Sequence, residues 1–126
     1  MRRVVTSDAA PAAIGPYGHA VVADGLLFCS GQIPLDPKTG ELVGDSAAEQ
    51  AAQCLRNLEA VCEAAGTILA RAVRVTIYTT ELERFAEIND AYADFFEAEP
   101  PARAAVGVAA LPKGALVEID AIVWVG

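Results

Sequence analysis

The chain has 126 residues, of which 54% are hydrophobic and 21% charged, and its formal net charge is −8. This length and composition predict one compact globular domain over residues 1–126 and exclude a disordered chain. The negative charge, without any basic stripe, argues against nucleic-acid binding through phosphate contacts. No apolar run reaches the length of a membrane span and no signal-like segment follows the first residues, so we expect a cytoplasmic protein that does not bind membranes.

Three cysteines, Cys29, Cys54 and Cys62, are spread along the chain. Their odd number and the absence of close pairs argue against a disulfide framework, and we expect buried, reduced thiols. His19 is the only histidine. With no second histidine and no cysteine at ligand spacing, we predict that His19 is structural and that there is no metal site.

The N-terminal region is predicted to begin with a short strand over residues 3–6 and a long loop that ends near Tyr17. Loops of this length in small domains often carry function, so Tyr17 is a candidate site residue; a tyrosine packed on the core edge is the alternative. A hairpin follows, with strands over residues 19–23 and 26–30 joined by Asp24-Gly25, the strongest short hairpin signal.

Ser30 and Gly31 follow the second strand of this hairpin. A glycine at such a point allows a ligand to approach the backbone closely. No histidine is placed to activate Ser30 as a nucleophile, so its predicted role is limited to lining a site.

The first helix opens with a capping box, Ser46-Ala47-Ala48-Glu49, and ends at Gly66. Its apolar stripe has helical spacing and predicts a core-facing side. A β-branched strand over residues 72–79 comes next, and it is predicted to be central in the sheet.

The second helix is predicted over residues 82–98, where Pro100-Pro101 stops it. Its core stripe consists of Phe85, Ile88, Tyr92, Phe95 and Phe96. Asn89 lies next to this stripe, where its amide either bonds to a loop or faces a site.

The last stretch of the chain is predicted to form a hairpin of two strands joined by a turn at Pro112-Lys113-Gly114. Alternation along the second strand gives a wholly apolar face and a face that carries Glu118 and Asp120 beside Ile122 and Trp124. A face that mixes carboxylates with Ile and Trp indicates a surface covered by another subunit, with a polar site in it. The two helices then cover only the other face of a mixed α+β sheet.

In this hairpin, Arg103 shares a face with Glu118 but lies four positions away, roughly 13 Å at about 3.3 Å per residue. A site that uses both side chains on one small molecule is therefore easier to build between subunits. Arg103 offers a planar fork suited to a carboxylate. Glu118 is expected to have a raised pKa and to act as a general acid or base. The alternative for this pair is a buried salt bridge at the interface.

Four motifs, in order along nearly the whole chain, resemble the RidA/YjgF family of reactive enamine/imine deaminases. Each motif is weak alone, but together they are specific. They are Ile14-Gly15-Pro16-Tyr17; Ser30-Gly31-Gln32-Ile33-Pro34 with the turn that follows it; Phe85-Ala86-Glu87-Ile88-Asn89 with Tyr92 and Phe95-Phe96; and Pro101-Ala102-Arg103 with Leu111-Pro112-Lys113-Gly114 and Val117-Glu118-Ile119-Asp120-Ala121.

The resemblance implies a chorismate-mutase-like α+β fold and a homotrimer with three sites between subunits. It implies hydrolysis of 2-aminoacrylate or 2-aminocrotonate, through imines such as 2-iminobutanoate, to 2-keto acids and ammonia without a cofactor. Arg103 would hold the substrate carboxylate and Glu118 would position or activate water. The implied pocket is lined by Tyr17, Ser30, Gly31, Asn89 and Ala105.

Two departures from the family pattern bear on the pocket. Many relatives have a cysteine where Ala105 stands, so only backbone can contribute there, and the loop between Phe96 and Pro101 is shorter than in many relatives. Two other functions compete with the deaminase. One is a non-catalytic small-carboxylate-binding or regulatory module that uses the same pocket. The other, a ribonuclease-like activity ascribed to some relatives, is disfavoured by the net charge of −8.

Overall fold

The computed structural model describes residues 2–126, which form a six-stranded sheet with two α-helices. The elements are β1 (Arg2–Val5), β2 (Ala20–Ala23), β3 (Leu26–Gln32), α1 (Ala47–Ala64), β4 (Ala72–Thr79), α2 (Phe85–Ala93), β5 (Ala102–Gly107) and β6 (Val117–Trp124). The strand order is β1-β2-β3-β6-β4-β5. Only β4 and β5 pair in parallel, and the other neighbours are antiparallel. This is the predicted α+β fold with a mixed sheet.

Within residues 2–126, no helix has the length and apolarity needed to span a bilayer.

Local signals produced the expected elements in the first half of the chain. Ser46 caps α1, where its Oγ accepts a hydrogen bond from the Glu49 backbone N–H at 3.2 Å. Asp24 and Gly25 both have positive φ, 49° and 76°, which closes the β2–β3 hairpin with the twist that such turns favour. His19 is structural, as predicted: its Nδ1 accepts from the Ser7 backbone N–H and its Nε2 donates to the Pro11 carbonyl.

One core lies between the helices and the sheet. Alternate residues of β6, including Val117, Ile119 and Val123, are fully buried there with the apolar stripes of α1 and α2. The opposite face of the sheet carries no helix, and Phe28, Val106 and Trp124 lie exposed on it. We call this the open face. It is the mixed apolar and acidic surface that the alternation in the last strand predicts.

The predicted C-terminal hairpin is wrong. Strand β6 lies between β3 and β4, whereas β5 pairs with the far edge of β4 and does not pair with β6. The connection over residues 108–116 crosses the end of β4, where the Val108 N–H donates to the Thr79 carbonyl and the Thr80 N–H to the Leu116 carbonyl. The physical reason is burial, because an apolar strand such as β6 buries more of its surface away from water in the centre of a sheet than at its edge.

The second helix is shorter than predicted, because α2 ends at Ala93. The Phe95 and Phe96 amides bond only three residues back, to Tyr92 and Ala93, so the chain leaves the helix in a tight turn. Phe96 is nevertheless buried, as its place in the apolar stripe predicts.

Candidate active site

Two separate cavities contain nearly all of the predicted site residues. The first, which we call the Glu118 cavity, has a volume of about 370 Å³ and is lined by Ile14, Tyr17, Ser30, Gly31, Ile33, Pro112 and Glu118. The second, the Arg103 cavity, has a volume of about 460 Å³ and is lined by Asn89, Tyr92, Ala93, Phe96, Pro100, Pro101 and Arg103. The residues expected in one pocket therefore lie in two half-sites.

The Glu118 cavity depends on a bulge in β3. The pairing with β6 shifts register between Cys29 and Gln32, which places Gly31 against the Glu118 side chain. A Cβ built on Gly31 would overlap Glu118 Oε2 and lie 2.9 Å from Cδ. The Glu118 carboxylate thus occupies the space that a side chain at position 31 would need. The sequence predicted only that a ligand could approach the backbone closely there.

The Glu118 carboxyl lies half-buried on the open face. Burial, and secondarily the negative charge of Asp120, raise the pKa of Glu118 above its ordinary value. The predicted direction of the pKa shift is therefore confirmed. A carboxyl with a raised pKa exchanges a proton more readily near neutral pH than an ordinary glutamate does.

Ser30 and Tyr17 shape the other wall of the Glu118 cavity. The Ser30 hydroxyl donates to the Gly18 carbonyl at 2.6 Å and so holds the loop that carries Tyr17. The Tyr17 hydroxyl accepts a long hydrogen bond of 3.4 Å from the Ile14 N–H. Both hydroxyl oxygens keep a free lone pair that can accept a hydrogen bond from a ligand.

The side chain of Arg103, on β5, packs against one face of α2. Its guanidinium lies over the rings of Phe85 and Tyr92, at 5.0 and 4.9 Å from their centroids. Its Nη1 donates to Asn89 Oδ1 at 2.7 Å. Phe85, Asn89 and Tyr92 are four and three residues apart, so they share one helix face.

The aromatic pair around Arg103 is the part of the site that sequence reasoning missed. The apolar pattern predicts only a core role for Phe85 and Tyr92, although their spacing from Asn89 is a readable signal. Such stacking restricts a guanidinium to one plane while its remaining N–H groups stay available. The arrangement therefore presents a fixed cation at the edge of the Arg103 cavity.

Arg103 and Glu118 point to opposite faces of the sheet, which corrects the prediction that they share one. Arg103 lies in register with Val75, whose side chain is buried on the helix side. Glu118 lies in register with Tyr78. Tyr78 is three residues from Val75 along β4, an odd number, so its side chain points to the open face. The prediction followed from the wrong hairpin, in which β5 and β6 were neighbours.

Ala105 lies on the same side as Arg103, in register with Ile77. The Arg103 side of β5 thus offers a cation, while the Glu118 side of β6 offers a proton-transfer group. The sheet separates these two groups within one chain.

The three cysteines are free and buried. A hydrogen bond with Cys62, together with burial, raises the pKa of the Cys29 thiol, and burial raises that of Cys54. The burial of all three agrees with the expectation from the sequence. Protonated, buried thiols are poor nucleophiles. Within residues 2–126, no group of three or more His, Cys, Asp or Glu side chains is arranged to hold a metal ion.

Comparison with known proteins extends the similarity over nearly the whole chain. The family model described as Endoribonuclease L-PSP matches residues 7–125. The RutC family protein y4sK of Sinorhizobium fredii is 50% identical over 94% of this chain and 94% of its own length. The 2-iminobutanoate/2-iminopropanoate deaminase of Bos taurus is 43% identical over 97% of this chain and 89% of its own length.

Solved structures agree with the fold. The crystal structure of the YjgF gene product from E. coli has a TM-score of 0.91 and 42% sequence identity, and the match covers 97% of this chain and 98% of that one. At this identity and coverage, the likeness concerns the whole domain and not the sheet alone. The chain therefore belongs to the RidA/YjgF family, whose family model carries the description Endoribonuclease L-PSP.

Proposed function

We propose that this protein is a 2-iminobutanoate/2-iminopropanoate deaminase. It hydrolyses the imine tautomers of 2-aminocrotonate and 2-aminoacrylate to 2-oxobutanoate or pyruvate and ammonia. The observation that carries the proposal is the pair of half-sites, one with a fixed guanidinium and one with a carboxyl of raised pKa. A relative named for this activity is 43% identical to this chain over 122 residues.

Each half-site has a separate task in the proposed reaction. Arg103 binds the substrate carboxylate, because its planar fork matches the two carboxylate oxygens. Glu118 accepts a proton from water as the oxygen adds to the electrophilic C=N carbon, and it passes this proton to nitrogen to give a carbinolamine. It then accepts the hydroxyl proton of the carbinolamine as the C=O bond forms, and passes it to nitrogen as the C–N bond breaks and ammonia leaves. Holding the imine and the water in contact lowers the barrier, and the C=N carbon is already electrophilic, so the proposed reaction needs no cofactor.

The proposed enzyme is a homotrimer with its sites between subunits. Arg103 and Glu118 lie on opposite faces of one sheet and line two separate cavities, so a site that uses both is built more readily between two chains. The exposed Phe28 and Trp124 on the open face favour its burial against another copy. In this assembly the Arg103 cavity of one chain would complete the Glu118 cavity of the next.

The activity is tested by generating the imine in situ with a threonine or serine dehydratase and trapping it with semicarbazide. Wild-type protein should lower the trapped fraction, and Arg103→Ala should abolish this effect. Arg56→Ala, on the exposed side of α1 and outside both cavities, is the matched control and should keep the activity. An unchanged trapped fraction with wild-type protein would refute the enzyme and favour a carboxylate-binding module.

The shared site is tested by mixing two inactive variants. After joint refolding of Arg103→Ala with Glu118→Gln, some interfaces would pair an intact Arg103 with an intact Glu118. Random reassembly should restore about one quarter of the sites. No recovery, or a monomeric solution mass, would contradict a site built from two chains.

A further inference from the structure

Tyr78 and Asp120 flank Glu118 on the open face, and the proposed reaction leaves both without a role. Tyr78 lies directly opposite Glu118 in the β4–β6 ladder, whereas Asp120 lies two residues further along β6 on the same face. The Tyr78 hydroxyl donates to Asp120 Oδ2 at 3.1 Å, so its side chain crosses the ladder diagonally. The two neighbours of Glu118 are thus bonded to each other.

Glu118 itself is free of such bonds. Among residues 2–126, no group donates a hydrogen bond to its carboxylate, which lies in the space left by Gly31. Its protonation therefore depends on its burial and on nearby charges, and not on a donor within the chain.

The charged and titratable groups around Glu118 come from four elements. Asp120 is on its own strand, Tyr78 is on β4, and Tyr17 lies across the cavity. Cys54 of α1 lies under the strand, where its buried thiol contacts the Val117 carbonyl. The cation on this face of β4, Arg74, lies opposite Ile122, four residues along β6 from Glu118. Strand β3 contributes only uncharged groups at this point, Ser30 and Gly31.

We propose that Asp120, anchored by the Tyr78 hydroxyl, is a positioning residue whose fixed negative charge, in addition to burial, favours the protonated form of Glu118. The inference rests on the proposed deaminase function. The Asp120 charge is one of the two causes that raise the pKa of Glu118. Without the Tyr78 bond, the half-exposed Asp120 side chain is free to rotate towards water, where its charge is screened.

The direct test is a ¹³C NMR titration of the glutamate side-chain carboxyl carbons, with the Glu118 signal assigned by its loss in Glu118→Gln. Asp120→Asn removes the like charge, so the Glu118 midpoint should fall to lower pH. Tyr78→Phe should lower it by a smaller amount, because the charge remains but is no longer anchored. Asp24→Asn makes the same charge change in the β2–β3 turn, where Asn-Gly is equally favoured, and should leave the midpoint unchanged.

An unchanged midpoint in folded Asp120→Asn would overturn the proposal. A fall in Asp120→Asn with none in Tyr78→Phe would overturn the anchoring role of Tyr78. Folding is checked by thermal melts of each variant, and Tyr78→Phe, which removes one oxygen, keeps the proposal testable if Asp120→Asn does not fold.

The activity adds a second measurement. In the pH dependence of kcat/KM for imine hydrolysis, the limb that belongs to Glu118 should move to lower pH in Asp120→Asn. A purely structural role would lower the rate at every pH without moving this limb. The NMR titration does not require turnover, so an inactive wild type would refute the proposed function alone, whereas an unmoved midpoint would refute the role of Asp120 in an active enzyme.

Discussion

Replacing Gly31 by Ala should inactivate the proposed enzyme without unfolding it. The added methyl would overlap Glu118 Oε2 and lie 2.9 Å from Cδ and 3.2 Å from Cγ. Methyl carbons do not approach other atoms this closely, so the carboxylate has to move. The backbone can keep its conformation, because the φ angle of Gly31 lies outside the positive region that only glycine adopts easily.

The size of the effect follows from this displacement. Restoring ordinary contact requires the carboxylate to shift by on the order of 1 Å, and a misplacement of about 1 Å in a catalytic group costs roughly 100-fold in rate. This loss corresponds to about 2.7 kcal/mol in the activation barrier. The free energy of unfolding should change little. A Gly→Ala change at a compatible φ stabilises the folded state by about 0.4–1 kcal/mol, because it lowers the entropy of the unfolded chain, and this gain offsets the local strain.

The assay is imine hydrolysis by the semicarbazide trap, with a thermal melt of the same sample. Gly107→Ala is the matched control, because its methyl would contact only the Leu82 side chain, with Cδ2 nearest at 3.3 Å, and this side chain is 48% exposed and can rotate. This control should retain its rate within about threefold. If Gly31→Ala keeps wild-type kcat, the position of the Glu118 carboxylate does not control the reaction.

Three further predictions concern stability. The folded state binds the Glu118 proton more tightly than the unfolded state does, so wild-type stability falls as pH rises above the ordinary glutamate pKa. Glu118→Gln should therefore raise Tm at pH 7, and this gain should vanish below about pH 4 in melts across pH; an equal Tm at pH 7 would contradict it. Tyr92→Phe removes a buried hydroxyl that has no partner within residues 2–126 and should stabilise by up to about 1 kcal/mol, whereas a lower Tm would show that the assembly supplies a partner. Asn57→Ala removes the amide that donates to the Ile33 and Leu35 carbonyls and should cost about 2–4 kcal/mol in urea unfolding; a cost below about 1 kcal/mol would refute this reasoning.

Features that depend on a few consecutive residues were predictable from sequence. The capping serine of α1 and the Asp24-Gly25 turn act within four residues, so no distant contact can override them easily. The end of α2 was less predictable. Its apolar stripe continues to Phe96, and periodicity alone does not distinguish a helical turn from a buried turn that follows a helix.

The amino-acid sequence alone was enough to identify the charged candidate residues and to predict the alternation of β6. Arg103 and Glu118 were recognisable because charged side chains within apolar strands are rare, and the acidic open face followed from alternation alone. The order of the strands in the sheet, by contrast, became known only from the folded chain. The β5–β6 hairpin was the simplest connection, but β4 lies between these strands and places Arg103 and Glu118 on opposite faces. Strand pairing depends on burial summed over the whole sheet, and no local sequence signal reports that sum.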